Sequence, residues 1–249
     1  MGYEANRRVE TSARTFAIIE RLGEVDRMGV SALADELEMS KGIVHNHLST
    51  LRELGYVRKL DDGYQLSPQL LTLGLRARSN ASLYRFADGL CSEFAAQLDA
   101  GVALCQHTDG DCTVIETYGI ASTADLGVGT ALPLGASLVG LVVALAGGRD
   151  RSPVEDTSTY DIETLRTSLD ADGYATGPLS TERADDCVAA PVLDGNGECH
   201  GGVGVLLPPD QRDRVGEATG TLRDRIEARF DAGWAGTRSF ATEKHSWMG

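Results

Sequence analysis

No stretch of the chain approaches the ~20 uninterrupted apolar residues needed to span a bilayer, and the start MGYEANRRVETSAR lacks the apolar core of a secretory signal. These absences predict a soluble, cytoplasmic protein with no membrane partner. Cysteine is sparse and unpaired by pattern. The five thiols (Cys91, Cys105, Cys112, Cys187, Cys199) are odd in number and include no CxxC, which argues against a disulfide framework and against a zinc knuckle. Buried, reduced thiols are expected, with no metal and no cofactor. Lysine is almost absent: Lys41, Lys59 and Lys244 stand beside 20 Arg, and 21 Asp outnumber 16 Glu. We associate that bias with halophilic archaea. In a salt-rich cytoplasm the Debye length falls to about 3 Å at 1 M, so any DNA contact there has to depend on shape and base edges more than on long-range attraction.

What is present is ordinary in amount and uneven in placement. A length of 249 residues exceeds the usual ~100–200 per domain and predicts two domains. Hydrophobic residues at 42% and charged residues at 24% suit a folded globular chain. The net charge of −14 opposes binding to phosphate at first sight. The opposition is local, because residues 1–80 hold 11 basic and 11 acidic groups whereas residues 81–249 hold 12 basic and 26 acidic groups.

Within the neutral part, Thr11–Val25 reads as a helix with Phe16, Ile19, Leu22 and Val25 at helical spacing and Ile18 beside them. A shorter helix follows, with Ser31 as the expected N-cap and Leu33, Ala34 and Leu37 as its apolar face. After Glu38-Met39-Ser40 a third helix is capped by Ser40 and turns Val44, Leu48, Leu51 and Leu54 inward. Spacing alone leaves a helical hairpin and a helix-turn-helix both open. The next residues favour the second: Gly55 stops the helix, Tyr56–Leu60 and Tyr64–Leu66 can pair as strands, and Asp61-Asp62-Gly63 is turn chemistry, which together make a wing.

With Val44, Leu48 and Leu51 inside, the third helix shows Lys41, Gly42, His45, Asn46, Ser49 and Arg52 to a major groove. Asn46 has the amide that pairs with an adenine edge, His45 and Ser49 can donate to bases or phosphate, and Ser40-Lys41 with the helix N-terminus suits a phosphate. Arg58 and Lys59 of the wing are expected on phosphate. His47, one position before buried Leu48, is expected at the helix edge against the first helix.

Three segments, TSARTFAIIERL, GVSALADELEMSKGIVHNHLSTLRELGYV and DDGYQLSPQLLTLG, resemble the IclR family of transcription regulators, here in a haloarchaeal form. The second half is similar to the family's effector domain through LPLGASLVGLVVALAG, DADGYATGPLS and CVAAPVLDGNGECHGGVGVLLP. The resemblance implies an α+β fold: a winged helix-turn-helix (1–66), a linker helix (67–80), a GAF-like effector-binding and oligomerisation domain with an antiparallel sheet (81–232), and a tail (233–249). It implies a sequence-specific regulator that binds a double-stranded DNA operator as a homodimer or tetramer and senses a small-molecule effector, and not an enzyme.

Local patterns give the second domain's elements independently. Ser67-Pro68 opens a helix over Gln69–Asn80, and Leu83–Leu98 reads as one amphipathic helix with Phe86, Leu90, Phe94 and Leu98 on a stripe. Val102–Gln106, Thr113–Tyr118, Cys187–Leu193 and Gly201–Leu207 read as four strands, and Asp210–Ala232 as a closing helix.

The effector site is carried over from the resemblance alone. It places backbone amides at Leu138 and Val139, a cysteine at Cys187, and the family's two serines at Gly204 and Leu206. The family's acid falls at Gly177 and its motif histidine at Gly135, so several polar anchors are missing. Their loss predicts a roomier, more apolar pocket for a different ligand, or none; Thr176, Ser180 and Thr181 are the nearby polar substitutes. Cys187 also has a plain reading as a small buried strand residue.

Two rival readings remain. His107, Asp109, Asp111, Cys112, Cys199 and His200 are types that ligate metal or catalyse, but their spacing does not converge. Alternatively, the same DNA-binding fold carries a ligand-free acidic domain that recruits other proteins.

Overall fold

The computed structural model describes residues 7–87, 89–108, 111–119, 126–135, 137–147, 160–180 and 186–206, and further along 219–221, 223–225 and 227–228. They fall into two compact units, one within Tyr3–Ala77 and one within Arg78–Gly249.

The first unit runs α1 (Glu10–Gly23), α2 (Val30–Glu36), α3 (Lys41–Glu53), β1 (Val57–Leu60) and β2 (Gly63–Leu66). Its core takes Ile18 and Leu22 from α1, Leu33 and Ala34 from α2, Val44, Leu48 and Leu51 from α3, and Val57 and Tyr64 from the strands. Those three α3 positions, spaced 4 and 3, form one helical stripe, so the opposite face is left to solvent. Outside the core, Arg21 of α1 pairs with Glu36 of α2 and with Glu24.

Several expectations are corrected here. Phe16 is 62% exposed, because α1 turns Ile18 and Leu22 inward and so rotates Phe16 out. Leu54 is 56% exposed: α3 ends at Glu53, and Gly55, at φ +83, turns the chain before Leu54 can join the buried stripe. Ser31 is not the N-cap of α2. Met28 exchanges both backbone hydrogen bonds with Tyr64, at 3.0 and 2.9 Å, so the helix begins directly after that bridge with Gly29 at the cap. Ser40 does cap α3, accepting from the Ile43 amide at 3.3 Å. β1 and β2 pair from Val57↔Leu66 to Leu60↔Gly63, a hairpin closed by Asp61-Asp62.

Helix α4 (Gln69–Asn80) occupies the span expected of the linker, and Ser67 accepts from the Gln69 amide at 3.3 Å. None of its residues is buried.

The second unit contains α5 (Ser82–Ala87), α6 (Leu90–Leu98), β3 (Gly101–Thr108), β4 (Asp111–Tyr118), β5 (Ala131–Pro133), α7 (Leu138–Ala146), α8 (Ile162–Asp172), β6 (Ala175–Pro178), β7 (Asp186–Leu193) and β8 (Cys199–Leu206). The single helix expected over Leu83–Leu98 is two, broken at Gly89 with φ +75, which a side chain would strain. Phe94 is buried as expected; the side chains of Phe86, Leu90 and Leu98 lie outside the described residues. Among the described residues the sheet has six strands rather than four, in the order β5-β4-β3-β8-β7-β6, every pair antiparallel. The strand patterns of β3, β4, β7 and β8 were strong enough to read, whereas β5 and β6, with three and four residues, were too short.

Both faces of this sheet are covered. Val188, Ala190, Val192, Val203 and Val205 face Leu83, Cys91 and Phe94 of α5 and α6. On the other side, Cys105, Cys112, Cys187 and Ala189 face α7, in which every residue from Leu138 to Ala144 is buried. Burial on two faces explains why β7 and β8 read as continuous apolar and glycine runs rather than alternating ones. The closing helix expected over Asp210–Ala232 is described only between 219 and 228, where the described residues are helical; the tail lies outside them.

The turn between β7 and β8 is held by one carboxylate. Asp194 accepts the backbone amides of Glu198 and Asn196, each at 2.9 Å. These bonds, the Glu198 amide foremost, lower its pKa to about 2 against an ordinary 3.8. A depressed acid contributes stability above its unfolded pKa and loses it as pH falls through the folded value. Thermal melts stepped from pH 7 to pH 2 should therefore show a loss between about pH 4 and pH 2, where an Asp194→Asn variant, less stable at pH 7, changes less.

Candidate functional site

The α3 side chains singled out from sequence stand where the buried stripe forces them. Ser40, Lys41, Gly42, His45, Asn46, Ser49 and Arg52 are all exposed, as are Arg58 and Lys59 on β1. Lys41 and Gly42 lie in the first turn of α3, next to amides that have no partner within the helix, an arrangement that favours an anion. Asn46 also lines a groove of about 440 Å³ between α1 and α3, with Thr11, Thr15, His47 and Leu54. His47 is half-buried, its Nδ1 2.9 Å from Thr15 Oγ1 of α1, the helix-edge position expected of it.

The residues carried over as an effector site are brought together, but as a packed interface. Leu138, Val139 and Cys187 are buried, and Leu206 is partly buried against the same cluster. The Leu138 amide donates to the Leu179 carbonyl at 3.0 Å, so this amide is engaged within the protein. A Cβ on Gly204 would lie 2.6 Å from Val139 Cγ2, and one on Gly202 2.8 Å from Val143 Cγ2. Two glycines of β8 thus let α7 settle directly onto the sheet. At Gly204 the side-chain space is taken by Val139, whereas a Cβ built on Gly177 would sit in ordinary contact with Leu138 and Tyr160, at 3.8–3.9 Å. At position 204 itself no room is gained.

Electrostatics agree with a dry interface. Burial raises the Cys187 thiol to about 12, and its Sγ sits 3.6 Å from the Val188 carbonyl as a weak donor. Tyr160, raised to about 12 chiefly by burial, donates to the Pro178 carbonyl at 2.9 Å. Neither group is poised as a nucleophile or base. Cys187 stands as a small buried residue of β7, and sequence reasoning missed the glycine pair, whose signal was the GGVG run read only as a strand.

Of the possible metal or catalytic set, Asp109 lies outside the described residues, and Cys112 is buried with its thiol raised to about 12 by desolvation. Among the described residues the acids and histidine that do converge are Asp194, Glu198 and His200, with ligand atoms within 4.8 Å of one another. Oδ1 of Asp194 there already accepts both turn amides, and Oδ2 accepts the Asn196 side-chain amide at 3.3 Å.

A three-helix unit with an exposed third helix and a two-stranded wing defines a class, the winged helix-turn-helix DNA-binding proteins. Comparison with known proteins narrows it. Residues 12–61 match the family model of the IclR helix-turn-helix domain. The chain is 29% identical over 221 residues to the HTH-type transcriptional regulator KdgR of Dickeya chrysanthemi, covering 80% of this chain and 71% of that one. The structure of an IclR transcriptional regulator from Alicyclobacillus acidocaldarius is similar at a TM-score of 0.71 and 19% identity, over 90% of this chain and 100% of that one. An IclR homologue from Microbacterium hydrocarbonoxydans, solved with 4-hydroxybenzoate, is similar at a TM-score of 0.72 and 17% identity, over 88% and 98%. The chain has the IclR-like fold, and together these findings support an IclR-family transcriptional regulator with a DNA-binding helix-turn-helix. Among the described residues no helix is long and apolar enough to cross a membrane.

Restoring a serine at Gly204 tests the filled interface. Gly204→Ser should destabilise the chain by about 1–3 kcal/mol through overpacking against Val139, and Val139→Ala in the same chain should recover part of that loss. Paired thermal melts check this; a Gly204→Ser protein as stable as the parent would mean that the position holds free space.

Proposed function

We propose that the chain is a sequence-specific transcription regulator that binds a double-stranded DNA operator through α3 and the wing, as a homodimer or tetramer. The observation that carries this reading is the division of α3: Val44, Leu48 and Leu51 buried, and seven groove-competent positions from Ser40 to Arg52 exposed on the other side. One winged helix makes few contacts, and selectivity among many competing sites calls for paired recognition helices on a pseudo-palindrome. The Arg-rich, Asp-rich composition supports a haloarchaeal cytoplasm as the setting.

For the second unit, the reading that follows from the shared fold is control by a small metabolite, since a protein of this fold was solved with 4-hydroxybenzoate. A second reading has its own support: Val139 over Gly204 and the engaged Leu138 amide favour a ligand-free domain that recruits other proteins. Thermal-shift screening with host metabolite extracts separates them, because a ligand that binds only the native state must raise the melting temperature with concentration.

The two DNA contacts should fail differently. Asn46→Ala should cost about 1–3 kcal/mol on the operator and little on random duplex. Arg58→Ala should weaken both and flatten the salt dependence. Titrations of both variants against both duplexes decide the matter, and equal losses for Asn46→Ala on operator and random DNA would remove it from base reading. Light scattering should return a mass above that of one 26.5 kDa chain.

A further inference from the structure

The wing carries two carboxylates where a phosphate-facing surface would be expected to avoid them. Asp61 and Asp62 close the hairpin, just beyond Arg58 and Lys59, and Leu60 pairs directly with Gly63. The two acids keep different company. Asp61 has no side-chain partner among the described residues. Asp62 accepts from Arg27 at both oxygens, Nη1 to Oδ1 at 3.0 Å and Nη1 to Oδ2 at 2.9 Å. Both bonds come from one nitrogen, so Nε and Nη2 of Arg27 remain without a partner among the described residues.

The backbone holds Arg27 in this position. Its neighbour Met28 exchanges two hydrogen bonds with Tyr64, an isolated bridge on the outer edge of β2, and a Cβ on Gly63 would lie 2.9 Å from the Met28 carbonyl. The ion pair itself is exposed, with 49% and 60% of the two side chains accessible. An exposed pair of this kind adds little to stability, so the fold does not account for it. A guanidinium is a planar fork of five donors, and a carboxylate that anchors it at one nitrogen limits where the other donors can point while leaving them free to meet an anion.

We propose that Arg27 is a phosphate-contacting residue of the DNA face, and that Asp62 is a positioning residue that orients its guanidinium beside Arg58 and Lys59. The proposal rests on the DNA-binding reading above. It fits a salt-rich setting, because an arginine already oriented gives up less side-chain freedom on contact and depends less on attraction at a distance.

If Asp62 were only a negative charge that Arg27 masks, neutralising it would strengthen DNA binding. If it orients Arg27, neutralising it weakens binding although a negative charge is lost. The full chain and its variants are titrated by fluorescence anisotropy against a labelled mixed-sequence duplex of about 30 base pairs across a range of KCl concentrations. Arg27→Ala should reduce affinity roughly tenfold at the lowest salt and lower the salt slope by about one, with Arg27→Lys recovering only part. Asp62→Asn should lose affinity, whereas Asp61→Asn, removing the same charge one residue away, should gain it. In the Arg27→Ala background the Asp62→Asn change should turn from loss to gain. A gain for Asp62→Asn in the parent chain, or an Arg27→Ala protein that binds like the parent while Arg58→Ala is weakened, overturns the proposal and leaves the DNA-binding reading standing. A parent chain that binds no duplex at any salt overturns both.

Discussion

The exposed face of α3, proposed above to meet DNA, exists because Val44, Leu48 and Leu51 are held on the other side of the same helix. Each is closed over by α1 and α2 side chains, with Ile18, Leu22 and Leu33 fully buried beside them. A helix has one rotation about its axis to give, so fixing the inward stripe fixes which residues look outward. The Ser40 cap fixes where the helix starts and so sets the height of Lys41 and Gly42. The wing is tied into the same unit through Met28 and Tyr64 rather than left as a bare hairpin. A two-stranded ribbon alone is marginal in water, and the Met28 bridge and the buried Tyr64 offset that weakness.

In the second unit a different constraint governs, the close approach of α7 to β8 at Gly202 and Gly204. Loss of side chains from a strand can open a cavity or admit a helix, and here the helix came in. Apolar on all sides, α7 is enclosed by the sheet on one side and by Tyr160 and Leu165 among its other neighbours. A side chain at position 204 would have to displace Val139 or move α7 from the sheet. Regulation by that route would be a change in packing, and packed interfaces switch between discrete arrangements rather than deform smoothly.

Much of this was legible from residues. The 4, 3 spacing of Val44, Leu48 and Leu51, the Ser40 cap, Gly55 and the wing turn are local signals that agree with one another, and such agreement makes a short module readable. Phe16 and Leu54 misled because periodicity identifies a stripe but not its edges, and edge positions are settled by tertiary packing. The break at Gly89 was hidden by apolar residues at helical spacing on both sides of it. The state of the effector position was the least legible part. Gly204 and Leu206 gave only the absence of serines, and an absence does not say what fills the space; Val139, a neighbour only in the fold, decided it.

The measurement that bears most directly on the central claim is selection of bound duplexes from a randomised pool by the intact chain in high potassium chloride. Two recognition helices on a symmetric oligomer should enrich an inverted repeat, with half-sites spaced by one helical turn of DNA or a multiple of it. A pool that returned without enrichment, or that converged on a single asymmetric site bound by one chain, would contradict the account.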